Sequence, residues 1–276
     1  NHCNLKCSFC GQQAMTRGKG FISEGTFQKI IDECSLYNTP VRFIRWGEPF
    51  LHEKIIDFCK YAKSKNLPLH ITNNGLVIKE SDMKALIEMD VDSLIFSFQG
   101  TTKEQYEIMR NNKLYDKLKS NILKLIKMRG NKSKPFIHVS STIVDEPETD
   151  IGYFVDFWGH IVDSVDVGKT NLSLIRDQKI KSAEAVEKIR TLREQETIDK
   201  NYRPCNEVYQ KLSVNWDGTV TCCCGDYDDF LIVGNMSEDT LYNIWNNSSE
   251  LKAFRELLDN MLHRSLTLCS KCSPAY

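Results

Sequence analysis

Three cysteines within eight residues, Cys3-x3-Cys7-x2-Cys10, are the stretch whose residue types and spacing speak most directly of chemistry. Thiolates are soft ligands, suited to iron–sulfur clusters and zinc. The run is too short for a helix-based zinc site and too crowded for a disulfide framework. A loop of three thiolates leaves one position of a tetrahedral or cuboidal site open, and an iron with an open position can bind and activate a small molecule. The plainer alternative is a three-cysteine zinc loop completed by His2 or a distant ligand, although zinc sites more often use paired C-x2-C units. A second group lies far downstream: Cys205, the run Cys222-Cys223-Cys224, and Cys269-x2-Cys272. Cys205, one hairpin cysteine and the late C-x2-C make four thiolates, enough for a complete site, with structural zinc again the plainer reading. Cys34 and Cys59 fall on apolar helix faces and read as core.

Composition narrows the class. The chain of 276 residues can bury a sizeable core, as one large unit or a large one plus a small one. Lys and Arg number 36 against 37 Asp and Glu, a formal net charge of -1, which advertises neither nucleic acid nor an anionic membrane as partner. No apolar run reaches membrane-span length and no signal-peptide pattern is present. Eleven cysteines in grouped clusters, an odd total, favour cofactors in a reducing compartment over disulfides. The cytoplasm is the expected home.

The elements that must position these residues alternate. Ser23 is an N-cap for a helix with Phe27, Ile30 and Ile31 on one face. A strand at 41–45 ends in Trp46-Gly47-Glu48-Pro49, and a helix carrying Ile55, Ile56 and Phe58 follows. A strand at 67–71 stops at Thr72-Asn73-Asn74-Gly75, before a helix with Met83, Leu86 and Ile87. A strand at 94–98 closes at Gln99-Gly100, and one long helix is expected over 103–128. Strands at 136–144 and 162–167 flank a helical pattern with Phe154, Val155 and Phe157. Short apolar runs alternating with helices predict β/α units and a parallel sheet, as a full or partial barrel or a doubly wound sheet. The polar stretches 46–49, 72–75 and 97–100 all follow strands, where such folds bind ligands. Past a charged, helix-prone segment, 212–216, Asp217-Gly218 and 219–221 form a hairpin delivering Cys222–Cys224. Strand alternation turns Cys222 and Cys224 one way and Cys223 the other. Helices carrying Leu241, Ile244 and Trp245, and then 251–262, lead to the last cysteines.

The cysteine spacing, with Phe9 just before the third cysteine, resembles the radical S-adenosylmethionine (radical SAM) superfamily. That resemblance implies a [4Fe–4S] cluster on Cys3, Cys7 and Cys10, with SAM chelating the fourth iron and Phe9 near the adenine. It implies an α/β fold, a partial (β/α)6 TIM-like barrel over 1–176, a helical linker over 177–202, and a small α+β cluster-binding unit over 203–276. Trp46-Gly47-Glu48-Pro49 is similar to the family's Gly-Gly-Glu-Pro stretch that meets the SAM amino group, with Trp46 in place of the first glycine. Ser97 and Gln99 sit in what resembles the ribose-contacting stretch. Arg110 resembles an arginine aimed at the SAM carboxylate, a task its fork suits. Asn73 and Asn74 resemble a further active-site stretch. The family's first strand precedes the cysteine loop, so residues upstream of Asn1 are expected to supply it.

The late cysteines resemble the SPASM/twitch type of auxiliary-cluster unit, in its one-cluster form, which implies Cys205, Cys223, Cys269 and Cys272 as ligands of a second [4Fe–4S] cluster. Cys222 and Cys224 are spares or alternates. The resemblance implies reductive cleavage of SAM to a 5′-deoxyadenosyl radical, hydrogen abstraction from substrate, and net oxidation of a sugar, aminocyclitol or polyol, the auxiliary cluster taking the electron. Arg176 and His138 are conceivable bases, against a surface arginine and a satisfied core histidine. Peptide or protein modification is the alternative enzyme reading, and a zinc-binding interaction module the non-enzymatic one. The expected partners are a small-molecule or peptide substrate and a reduced flavodoxin- or ferredoxin-type electron donor.

Overall fold

A computed structural model describes residues 1–195 and 205–272. The remainder of the expected linker, with Arg203 and Pro204, lies outside the described residues, as does 273–276. In chain order the large unit runs α1 (Glu24–Leu36), β1 (Val41–Phe43), α2 (Ile55–Ser64), β2 (Leu69–Asn73), α3 (Glu80–Glu88), β3 (Ser93–Ser97), α4 (Lys103–Arg110), α5 (Tyr115–Arg129), β4 (Phe136–Ile143), α6 (Glu148–Gly159), β5 (Ser164–Lys169) and α7 (Ala183–Gln195). Then follow α8 (Glu207–Gln210), β6 (Ser213–Val214), β7 (Thr219–Thr221), β8 (Ile232–Asn235), α9 (Leu241–Asn247) and α10 (Ser249–Asp259).

All five strands expected for the sheet are present, in the order β1-β2-β3-β4-β5 and parallel throughout. Alternation along the strands sorts side chains onto two faces. One face carries Leu69, Ile71, Leu94, Phe96, Ile137 and Val139, all fully buried, and joins a single core with Phe27, Phe58, Leu86, Leu118, Ile122 and Trp158 from the helices. The other is polar: Ile95 lies between Thr72 and His138, and Ser97, Ser140 and Asp166 share a register row. A parallel sheet normally has both faces covered by apolar side chains. Here the polar face is the lumen of an open barrel. β1 forms one edge, and a cavity of about 1220 Å³ runs along its free side, lined by α1, β1 and residues 210–216.

Two element expectations need correcting. The single helix over 103–128 is two, because Asn111 adopts a left-handed conformation (φ 54) that ends α4. Asparagine tolerates that geometry better than most residues, and helical periodicity on both sides hides the break. The second unit also gains a third strand, β8, antiparallel to β7. Its sequence, Ile232-Val233-Gly234-Asn235, is short and ends in turn-forming residues.

The hairpin turn 215–218 has Gly218 at φ 88, as its Asp-Gly sequence anticipates. A separate core of Val208, Val220, Leu231, Val233, Ile244 and Leu251 supports this small sheet. The two units are bolted together. Arg17 pairs with Asp217 and Asp229, and Thr16 with Asp228. Glu33 accepts from the Leu241 and Tyr242 amides at the start of α9 (2.8 and 2.6 Å), where a helix terminus favours negative charge. Gly20 lies against Trp216 so closely that a β-carbon would come within 2.3 Å of the indole.

Candidate active site

The cysteine loop is anchored from below. Leu5 is buried in the main core. Ser8 is fully buried; its amide and hydroxyl both reach the Met109 carbonyl at 2.9 Å, and its own carbonyl accepts from the Arg176 amide at 2.8 Å. The loop thus sits between the end of α4 and residues 172–176, with Cys7 buried in the main core and Cys3 and Cys10 half-buried against it. Burial raises the pKa of all three thiols, that of Cys10 to about 12, and the neighbouring cysteines add to the rise for Cys3 and Cys10. Arg110 opposes the shift. Three desolvated cysteines beside one arginine form a soft-donor set, and that chemistry fits an iron–sulfur cluster.

The residues around the loop fit a zwitterion. Arg110 is buried between the Phe9 and Tyr106 rings, each 5.6 Å from its guanidinium carbon. It donates to the Ser97 carbonyl at 2.6 Å, and its buried Nε has no partner, leaving donor capacity for a carboxylate. Glu48 is also buried. Its two oxygens accept from the Phe50 and Asn74 amides (3.1 and 2.7 Å), yet burial outweighs these bonds and pushes its carboxyl up to about 7. A cation placed beside it would restore the charge. Gly47 is required where the chain crosses the N-terminal residues, since a β-carbon would lie 2.9 Å from the His2 carbonyl oxygen. Pro49 opens the short turn that follows.

The other predicted residues are brought to the same rim with differing freedom. Asn73 bridges the Ile95 carbonyl and the Gly75 amide, and Asn74 bridges Asn4 and the Leu76 amide. Both therefore shape the 73–76 turn. Gln99 is fully buried, its amide held by Thr170 and Thr142, each at 2.7 Å. The Trp46 carbonyl accepts from Gln12 at 3.1 Å. Its indole turns the other way, donating to the Asp226 carbonyl at 2.9 Å in the small unit. The tryptophan that stands in place of a glycine is thus a strut between units.

At the second thiol group, burial raises the thiols of Cys269, to about 12, and of Cys222 and Cys223; Cys272 and Cys205 add to the rise of Cys269, and Cys269 adds to that of Cys222 and Cys223. Cys224 acts on Cys223 as well, so six thiols share one neighbourhood. The expectation that Cys222 and Cys224 point the same way fails. Cys222 is fully buried and Cys224 exposed, because β7 ends at Thr221 and strand alternation stops with it. Cys34 and Cys59 are buried in the main core as expected.

His138 is no core histidine. It lies on the polar sheet face, hydrogen-bonded to Asp166, whose other oxygen accepts from Ser140 at 3.3 Å. Arg176 instead contributes its amide to the cysteine loop and its side chain to the Ser173 carbonyl. Sequence reasoning missed Asp166, Gln12 and Arg45. The last had a visible signal, an arginine immediately ahead of Trp46-Gly47-Glu48.

Residues 1–157 match the model of the radical SAM superfamily. The chain belongs to the radical SAM superfamily. Residues 205–273 match the SPASM model, an iron–sulfur cluster-binding domain. These memberships imply SAM and [4Fe–4S] clusters as cofactors, and the zinc-module reading is set aside. Among relatives of this radical SAM chain, a tungsten-containing aldehyde ferredoxin oxidoreductase cofactor-modifying protein of Pyrococcus furiosus is 25% identical over 305 residues, covering 98% of this chain and 85% of the relative. The fold is similar to that of BtrN, solved with AdoMet and 2-DOIA (TM-score 0.63, 16% identity, 100% of this chain and 93% of BtrN). It is also similar to Streptococcus suis SuiB bound to precursor peptide SuiA (TM-score 0.71, 17% identity), where it covers 92% of this chain and 64% of SuiB, less than two thirds. Among the described residues no helix is long and apolar enough to cross a membrane.

Proposed function

We propose that this chain is a radical SAM oxidoreductase that dehydrogenates a polyhydroxylated small molecule, a sugar, aminocyclitol or similar polyol. Residues 1–176 are read as the SAM barrel and 203–276 as the auxiliary-cluster unit. When bound, SAM and the cluster on Cys3, Cys7 and Cys10 supply a 5′-deoxyadenosyl radical that takes hydrogen from carbon, and an auxiliary cluster on Cys205, Cys223, Cys269 and Cys272 supplies an electron acceptor. Glu48 takes the SAM ammonium and Arg110 the carboxylate, while Phe9, Trp46, Gly47, Pro49, Asn73, Ser97 and Gln99 shape the rest of the pocket. The electron donor is read as a flavodoxin- or ferredoxin-type protein.

The observation that carries the reading is the polar lumen face. Thr72, Ser97, His138, Ser140, Thr142 and Asp166 lie along neighbouring strands and give donors and acceptors suited to several hydroxyls. Asp166 holds His138 at Nε2, which leaves Nδ1 to accept the proton of a hydroxyl whose carbon is being oxidised.

Anaerobically reconstituted protein, SAM and dithionite should be incubated with ring-deuterated inositols and aminocyclitols. Deuterium should appear in 5′-deoxyadenosine, with one carbonyl product formed for each. His138→Ala should lose the carbonyl product while 5′-deoxyadenosine still forms. Deuterium transfer from a labelled peptide and from none of the polyols would move the assignment to peptide modification, which the long cavity beside edge strand β1 favours as the second reading.

A further inference from the structure

Arg45 lies two residues past the end of β1 and carries a backbone φ of 137, a conformation L side chains rarely adopt and keep only when their surroundings hold it. Its side chain leaves the SAM rim and enters the small unit. Nη1 donates to the Cys223 carbonyl at 2.8 Å, and Nη2 donates to the Asp226 carbonyl at 2.8 Å and to Asn215 Oδ1 at 3.2 Å. The Asp226 carbonyl also takes the Trp46 indole, so two consecutive residues of the rim grip one turn of the cysteine loop.

All three acceptors of Arg45 are neutral. The Asp226 carboxylate is fully buried and taken up by the Phe230 and Leu231 amides of its own loop. Among the described residues no carboxylate forms an ion pair with Arg45, and its buried Nε has no partner. The Asp226 carboxylate acts on Arg45 only from a distance, and a buried cation whose direct contacts are all neutral is costly. A loaded auxiliary site would add negative charge nearby: a four-thiolate [4Fe–4S] site carries roughly two negative charges when oxidised and about three when reduced.

We propose that Arg45 is a positioning residue for the auxiliary cluster, fixing the Cys223–Asp226 turn against the SAM rim and supplying the buried positive charge that favours the cluster's reduced state. The inference rests on the reading that Cys205, Cys223, Cys269 and Cys272 hold that cluster. Net charge and hydrogen bonds near a cluster set its potential, and a cation stabilises the more negative state. The same fork fixes the distance between the turn and the pocket where an electron would be released.

The test is a redox titration followed by electron paramagnetic resonance on the full chain, with Cys3, Cys7 and Cys10 replaced by alanine so that only the auxiliary signal remains. Arg45→Gln removes the charge and keeps a donor; Arg45→Lys keeps the charge and loses the fork. Arg45→Gln should make reduction at least about tenfold less favourable, a fall of about 59 mV for a one-electron couple. Arg45→Lys should stay within about threefold of the parent, again by that scale. A Gln variant within threefold of the parent, or a Lys variant as low as Gln, would overturn the proposal. If Arg45→Gln loses its iron, Arg45→Lys decides alone: a parent-like potential supports the charge role and a tenfold fall sinks it. A background protein that binds no four-iron cluster would instead refute the auxiliary-site reading, whatever Arg45 does.

Discussion

Glu48, the residue proposed to take the SAM ammonium, is a buried carboxyl whose ionisation can be followed. Burial holds it at about 7 against an ordinary 4.5. An acid raised in this way keeps a proton in the fold that the unfolded chain has lost. Its contribution to stability is therefore full below pH 4.5 and declines as pH rises to about 7. SAM-free protein should lose stability across that window, and Glu48→Gln should flatten the slope in denaturant titrations run at several pH values. SAM binding should run the opposite way. The ammonium needs the ionised form, so affinity measured by calorimetry should rise by up to about tenfold per pH unit toward 7 and level off above it. An unchanged pH profile in Glu48→Gln would remove Glu48 from the ammonium site.

At the scale of elements, the break between α4 and α5 aims the site. Arg110 is the last residue of α4, and Asn111 at φ 54 stops the helix there. The end of α4 also carries the Met109 carbonyl that holds Ser8. A continuous helix would carry the chain on past both contacts. Asn111→Val should cost about 1–2 kcal/mol, the penalty of a left-handed conformation for a residue with a branched β-carbon. Thermal unfolding measures this, and iron retention after desalting should fall with it if the turn positions the cysteine loop.

For the whole molecule, the interface between the units would join the two chemistries proposed for them. Gly20→Ala would drive a β-carbon into the Trp216 ring, and such overpacking typically costs about 1–3 kcal/mol. The expected outcome is a lower melting temperature, with Trp216→Ala relieving part of the loss in the double variant. Cys269→Ala should reduce iron from about eight to about four per chain, as two four-iron clusters become one. Formation of 5′-deoxyadenosine should persist while the carbonyl product is lost. Full turnover in that variant would rule out the electron-acceptor role.

Much of this was legible from local pattern. Cysteine spacing, the order of β/α units and the stretches after strand ends depend on residues close in sequence, and each leaves a periodic or compositional trace. That information determined the family and the parallel sheet, and singled out both thiol groups, Glu48 and Arg110 as candidates. Contacts spanning many residues left no such trace. Arg45 and Trp46 grip a turn some 180 residues away (|i−j| of 181 and 180 to Asp226), and Asp166 meets His138 only because β4 and β5 lie side by side in register. The opposite fates of Cys222 and Cys224 depended on where β7 ends, which packing of the small sheet sets. Sequence fixes which groups can ligate or titrate; tertiary structure decides which meet, because burial and register are properties of the whole chain.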